Sequence, residues 1–506
     1  MLPKADDSWT LLEAAHLLNR AGFGGNPDDI LAFHALGRLQ AVESLISPTE
    51  PDDAFPLPKW AEEQQALTDR KEQMEKRREI VRSLRGLPAE EAEQKRREAF
   101  QKFQRENRRQ GLEAQGWWFR RMLLTKAPLR EKMTLFWHDH FATSIQKVKE
   151  PVFLMKQNQL FRQYALGDFR SLTGKIVRDP AMVLYLDMQN SRKGMPNENF
   201  AREVMELFTL GEGNYTEQDI REASRAFTGY QLNRITGETY HNRRQWDETD
   251  KTIFGKTGPF QGADVVKLIF EKPAAARLMV RKLWEFFVYD NPPAPAIEAL
   301  AGGFRKANYQ IKPLLREIFL SKEFYSEAAV RSQIKSPVQY LIQLLKQLEI
   351  TEPPAGFPIT GQQQLGQTLF MPPNVAGWDW GQAWINTNTL LARYNLAGLI
   401  TKGTDDGGGA MPMERVKTPG MAPGPRNVGR YWKGPDYEKV APRPLREHPS
   451  ELVDALILRF FQGPVPEKAR ATFSEYAQAK KGVTFTDKET AELCHLMLST
   501  PYYQLC

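Results

Sequence analysis

The sequence predicts a mainly α-helical protein with a large multi-helix core, a protruding charged helical hairpin and a small β-hairpin. Apolar residues recur at helical spacing through most of the chain, as in Leu11, Leu12, Ala15 and Leu18. The stretch from Trp60 to Arg109 is dense in both signs of charge around the breaker Gly86-Leu87-Pro88. Residues 231 to 262 change character to short β-prone pieces between turns, so a small hairpin is expected near residues 235 to 260.

Each element follows in chain order. Residues 1–59 read as an N-terminal layer of two helices separated by Gly22-Phe23-Gly24-Gly25, with Asn26 or Asp28 as the second cap. Residues 60–113 read as the charged hairpin, whose two arms turn back at Gly86-Leu87-Pro88. Residues 114–400 carry the main helical core, including Leu129 to Ser144 around Leu135-Phe136-Trp137-His138-Asp139-His140-Phe141, and a helix from Glu217 with Thr216 as its cap. Residues 401–449, with Gly407-Gly408-Gly409 and repeated prolines, read as an irregular segment. Residues 450–506 close the chain as a helical subdomain with Leu452, Leu456, Ile457, Phe460 and Phe461 on one face.

Composition narrows the function classes. At 506 residues with 41% hydrophobic and 26% charged residues, the chain has ample material for a core and a soluble surface. The net charge of +7 arises from 69 basic against 62 acidic residues with both signs interleaved, and no nucleic-acid-binding motif accompanies it, so nucleic acid is not expected as a partner. Cys494 and Cys506 are the only cysteines, which excludes a disulfide framework or a cysteine-rich metal site. The N-terminus has no apolar stretch of the kind a secretory signal needs, and no run is long enough to span a membrane, so a cytoplasmic protein is expected.

The chemistry concentrates in Pro196 to Gly211. If Asn199 to Phe208 is α-helical, Asn199, Glu203 and Glu206 fall at i, i+4 and i+7 and form a polar row beside a buried stripe of Phe200, Val204, Leu207 and Phe208. Arg202, four residues before Glu206, is placed to pair with it. Glu203 and Glu206 are then a candidate acid/base pair or divalent-metal ligands, with Glu198 as a third carboxylate. The other reading of the same row is a buried polar network that orders the helices.

Two further clusters qualify as sites. His138 and His140 diverge by about 200° on a helix, so they do not ligate one metal jointly, and His140 alone is a candidate metal ligand on the core side. Asn374, Trp378, Asp379, Trp380, Trp384 and Asn386 mix flat rings with polar groups, as a carbohydrate platform requires, although tryptophans in a Pro-Gly loop serve equally as core plugs. Of these, Asn199, Trp378, Asp379, Trp384 and Asn386 are the candidate substrate contacts. The pairs Glu13 with His16 and Glu492 with His495 have the spacing of a di-iron bundle but lie at opposite ends of the chain. Gly255-Lys256-Thr257-Gly258 lacks the upstream glycine of a phosphate loop, since position 250 is Asp250, and reads as a turn.

Taken together, Ala15 to Gly24, Lys132 to Ser144, Asp179 to Asp187, Lys193 to Tyr230, Lys282 to Val288, Lys335 to Pro337 and Gly366 to Arg393 make the chain similar to the bacterial family called domain of unknown function eighteen-hundred. The run Pro196-Asn197-Glu198-Asn199-Phe200-Ala201-Arg202-Glu203 is its most specific part. The resemblance implies little about chemistry. It does imply a setting, because many members look like exported proteins encoded beside a sulfatase-like partner that carries a twin-arginine signal, and a chain without a signal would then travel folded with that partner. Two functions are therefore expected in competition. One is a hydrolase-like or metal-assisted enzyme on a polymeric, carbohydrate-type substrate, led by Glu203 with Glu206, Glu198, Arg202 and His140. The other is a non-catalytic scaffold or binding protein that assembles with the exported partner.

Overall fold

The computed structural model describes residues 2–51, 54–403, 432–480 and 485–506. It is mainly α, as expected, with strands confined among the described residues to two short antiparallel hairpins. Helices α1 (Leu11–Ala21) and α2 (Pro27–Ile46) begin at capping boxes: Thr10 with Glu13, and Asn26 with Asp29. Of the two predicted caps it is Asn26 that serves. Its short side chain reaches the Asp29 amide at 2.9 Å, and Pro27 supplies the fixed φ of the first turn.

The charged stretch forms α3 (Glu63–Ser83) and α4 (Ala89–Leu124), joined by a turn in which Gly86 adopts φ 83°. Their facing ends are held by few apolar contacts, so both arms stand largely in solvent. The second arm continues without a break into the core, where Trp118, Phe119 and Met122 are buried. The hairpin and core segments therefore share a helix across residues 113 and 114. Helix α5 (Pro128–His140) follows, with Pro128 in its first turn and every residue from Glu131 to His140 buried.

One apolar cluster runs from Leu17 through Trp118, Trp137, Phe200, Trp284 and Tyr340 to Leu456 and Tyr503. N-terminal, central and C-terminal segments thus close around one core, as the helices Pro449–Phe460, Glu467–Ala479 and Asp487–Leu498 pack back onto it. Strands β1 (Tyr230–Asn233) and β2 (Glu238–His241) pair with Tyr230 opposite His241, and β3 (Lys251–Ile253) and β4 (Lys256–Gly258) pair with Ile253 opposite Lys256. Two hairpins thus occupy the stretch where one was expected, because Phe254 (φ 49°) and Gly255 (φ 77°) both enter the left-handed region that a two-residue turn demands. Most of the irregular segment expected at 401–449, including Gly407-Gly408-Gly409, lies outside the described residues. Its described remainder holds the short helices Tyr437–Val440 and Arg443–Arg446.

Charge is also buried in this core. Glu131, at 0% exposure, accepts from Arg121 Nε at 2.8 Å, Arg162 Nε at 2.6 Å and Trp118 Nε1 at 3.0 Å. This ties α4 and α5 to the helix Pro151–Gln163. Cys494 and Cys506 are free and buried, and burial pushes the Cys494 thiol up to about 12, so it behaves as an inert core residue.

Candidate functional site

The last turn of α5 gathers the motifs. Successive helical residues point about 100° apart, so three consecutive polar side chains reach three different neighbours. His138 Nε2 accepts the backbone N–H of Phe370 at 3.1 Å. Asp139 accepts the Trp378 backbone N–H at 2.7 Å on one oxygen and the Trp380 indole N–H at 3.1 Å on the other. His140 Nε2 donates to the Phe208 carbonyl at 3.0 Å, while its Nδ1 lies 3.3 Å from the Lys282 ammonium, which itself donates to the Leu207 carbonyl at 3.1 Å. His138, Asp139 and His140 are thus a junction between α5, the loop at 366–380 and the stretch after Met205.

The electrostatics follow from burial. His138 is pushed down to about 3 by burial, so it is a neutral ring and an effective acceptor. His140 is held well below its ordinary value by burial first and then by the Lys282 charge, opposed by its bond to Phe208. Asp139 is pushed up to about 7 by burial, which outweighs the Trp378 and Trp380 donors and the Lys282 charge. Lys282 is lowered by burial, against the attraction of Asp139 and Glu285.

The helix Glu198–Met205 begins at Asn197, whose side chain caps the Asn199 amide at 3.0 Å and donates to the carbonyls of Leu186 and Asp187. Phe200, Val204 and Phe208 of the expected stripe are fully buried, and so are Ala201 and Met205. From Glu206 to Leu210 the backbone changes to a π-turn, closed by Gly211 N–H to the Glu206 carbonyl at 3.0 Å with Gly211 at φ 77°. Such a turn takes in one more residue than an α-turn, and because the helix ends at Gly211 its last carbonyls lack intrahelical partners. The carbonyls of Leu207 and Phe208 accept from Lys282 and His140.

The expected pairing is corrected here. Glu206 stays beside Glu203, but Arg202 is not its partner. Instead Arg202 makes a bidentate pair with Glu217 at 2.8 and 2.9 Å and lies 3.6 Å from Glu198, while the Tyr215 hydroxyl donates to Glu206. The physical reason is the bend through Gly211 and Gly213, both at positive φ, which returns Tyr215 and Glu217 over the helix. Leu207, expected in the buried stripe, is partly exposed for the same reason. Asn199 is exposed, and Glu203 and Glu206 are half-buried.

Glu203 is held above the usual carboxylate range by burial and by neighbouring Glu206, opposed by Arg202. An acid whose folded pKa is raised loses stability as pH rises through that pKa and recovers it when protonated. Glu203→Gln is therefore expected to leave stability unchanged at acid pH and to raise it by up to about 0.5 kcal/mol at neutral pH. Urea unfolding of both proteins at the two pH values checks this.

The tryptophan cluster divides. Trp378 and Trp384 are 4% and 6% exposed and act as plugs, whereas Asp379 is exposed and Trp380 is 42% exposed with its edge on Phe286 at 5.0 Å between centroids. Asn386 caps the helix Thr387–Lys402 by accepting the Thr389 amide at 3.0 Å. The exposed Asn386 thus caps the next helix, while Trp378 and Trp384 pack inward, with the Trp378 amide held on α5 by Asp139. Gly377 (φ 90°) is required there, since a Cβ would strike the Asp139 carboxylate and lie 2.7 Å from its carbonyl oxygen.

Both His140 ring nitrogens are engaged, one as donor and one towards Lys282, so the expected metal-ligand role has no free lone pair here. Among the described residues no group of three or more His, Cys, Asp and Glu side chains is arranged to hold a metal ion. The Glu-x-x-His pairs are also apart: Glu13 and His16 bond to Arg38 and the Phe324 carbonyl, and Glu492 and His495 to Tyr476 and the Tyr394 carbonyl. Sequence reasoning missed Lys282, Tyr215 and Glu217. Each acts through a contact made across a turn or between distant helices, and no local spacing announces it.

Fold and site define a large helical protein in which the end of α5, the loop at 366–380 and the turn after Met205 meet at one buried junction. The family model described as protein of unknown function (DUF1800) matches residues 16–505, nearly the whole chain, and the chain belongs to that family. Comparison with the curated proteins and with the solved structures gave no match.

Proposed function

We propose that the chain is a non-catalytic scaffold that assembles with a partner protein. One observation carries this reading: most of the polar residues in the candidate motifs, Glu203 excepted, are spent on holding the chain together. His138, Asp139 and His140 grip two segments, the loop at 366–380 and the turn after Met205, Asn197 and Asn386 cap helices, and Arg202 and Glu206 are paired within their own stretch. Buried, mutually satisfied polar groups order a fold and fix its segments. The partner implied by the family resemblance is an exported sulfatase-like protein bearing a twin-arginine signal, with which this chain is exported already folded.

Copurification of the tagged chain from the organism that encodes it, with mass spectrometry of periplasmic and cytosolic fractions, tests this reading. A sulfatase-like protein recovered with the chain in the periplasmic fraction is the expected result. The chain recovered alone in the cytosol contradicts it.

A second reading rests on Glu203. A half-buried carboxyl held above its ordinary range beside a second carboxylate is what an acid/base pair requires, and would suit hydrolysis of a polymeric, carbohydrate-type substrate. It predicts hydrolysis by the parent protein on a polysaccharide panel and loss of at least about a hundredfold in Glu203→Gln.

A further inference from the structure

Helix α3 segregates its charge. At about 100° per residue, Met74, Arg77, Arg78, Val81 and Arg82 fall on one face, Glu72 and Glu79 fall towards the opposite one, and Glu75 lies at the boundary beside Arg82. The arginine face, joined by Arg85 and by Arg234 from the β1–β2 connection, walls a groove of ≈ 360 Å³. Its aliphatic floor is Met74, Val81 and the arginine stems, and Val81 is 58% exposed.

The groove walls are fixed in place. Gly237 at φ 68° closes the β1–β2 connection, and a Cβ there would strike the Arg70 guanidinium and lie 2.8 Å from Phe153, so the hairpin tip sits directly on α3. Arg70 lies over the Phe153 ring at 4.5 Å and Arg77 over the Phe103 ring at 5.1 Å. Among the described residues, the ion pair made by α3 is Lys76 with Glu72 on the far side. The carboxylate near the arginines is Glu150, which is raised by burial and opposed by Arg70, Arg77 and Arg234. Five arginines and no carboxylate line the groove, so Glu150 beneath it and Glu75 at its edge leave a surplus of positive charge.

We propose that this groove docks an acidic, amphipathic segment of a partner protein, whose carboxylates pair with Arg77, Arg78, Arg82 and Arg234 while its apolar side chains lie on Met74 and Val81. The proposal rests on the reading of the chain as an assembly scaffold. Apolar residues interleaved with arginines suit such a segment. A single nucleic-acid strand calls for stacking aromatics, which do not line the groove, and a flat anionic bilayer does not follow a concave wall.

The test uses the full chain and a short fluorescein-labelled peptide of Glu and Leu at helical spacing, followed by fluorescence anisotropy. Saturable binding that weakens with added salt, and weakens at least about tenfold in Arg77→Glu/Arg82→Glu at unchanged melting temperature, is expected. Arg78→Ala/Arg234→Ala provides the milder pair should the charge reversal unfold the hairpin, and a loss of affinity at unchanged melting temperature is expected there too. The proposal is overturned by absence of saturable binding, by equal affinity in parent and variants, or by a single-stranded oligonucleotide or a phosphatidylglycerol vesicle binding more tightly with the same arginine dependence. A partner that copurifies equally with the parent and the charge-reversal variant overturns the groove while leaving the scaffold reading intact. Absence of any partner from the parent counts against the scaffold, and the peptide result still decides the groove.

Discussion

Glu131→Ala is expected to cost about 3–5 kcal/mol, enough to unfold the chain near its physiological temperature. The reason is what the substitution leaves behind. Arg121 and Arg162 are buried beside Glu131, and without its charge two guanidiniums remain in the core, together with a Trp118 indole N–H that has lost its acceptor. Glu131→Gln keeps the shape and one acceptor oxygen, so it isolates the charge and is expected to lie between the parent and the alanine variant.

The pH dependence has a definite sign. Burial pushes the Glu131 carboxyl up, but Arg162 and Arg121 outweigh it and hold the group below its ordinary value. A carboxylate with a lowered folded pKa contributes stability above the unfolded pKa of roughly 4, and that stability is lost as pH falls through the folded value. The parent should therefore lose its advantage over Glu131→Gln in urea unfolding as pH is taken below about 4.

Asp139→Ala is expected to cost about 2–4 kcal/mol and to loosen the loop at 366–380. Two N–H groups lose their acceptor at once, and the Trp378 amide is buried. Trp380, already 42% exposed, should move further into solvent, so its emission shifts to the red. Here the pH sign is opposite to that of Glu131. With a folded pKa of about 7, Asp139 keeps its proton where the unfolded chain has lost it, so its contribution is complete below roughly pH 4 and falls as pH rises towards 7. Asp139→Asn cannot ionise and should show a flatter melting temperature between those limits, even though its amide group faces the Trp380 donor.

What the sequence made legible is local. The caps at Asn26 and Thr216, the turn at Gly86 and the helical divergence of His138 and His140 each depend on residues within one or two turns, and spacing alone encodes them. The π-turn is different. Glu206-Leu207-Phe208-Thr209-Leu210 has apolar spacing that an α-helix would satisfy, and the groups that receive its carbonyls, His140 and Lys282, stand 68 and 75 residues away. The pairing of Arg202 with Glu217 likewise depends on a bend that only Gly211 and Gly213 permit. Asn386 could have been read as a cap, since Asn386-Thr387-Asn388-Thr389 has capping-box spacing, but the neighbouring tryptophans made a sugar platform the more prominent pattern.

The role of the α5 triplet as a junction is tested most directly by amide hydrogen exchange, read by mass spectrometry, on the parent, Asp139→Ala and His140→Phe. Faster exchange should appear at residues 366–380 in the first variant and at 206–211 in the second, with the hairpin arms α3 and α4 unchanged. Parent-like protection at both segments in both variants would contradict the junction and reopen the metal-ligand role of His140.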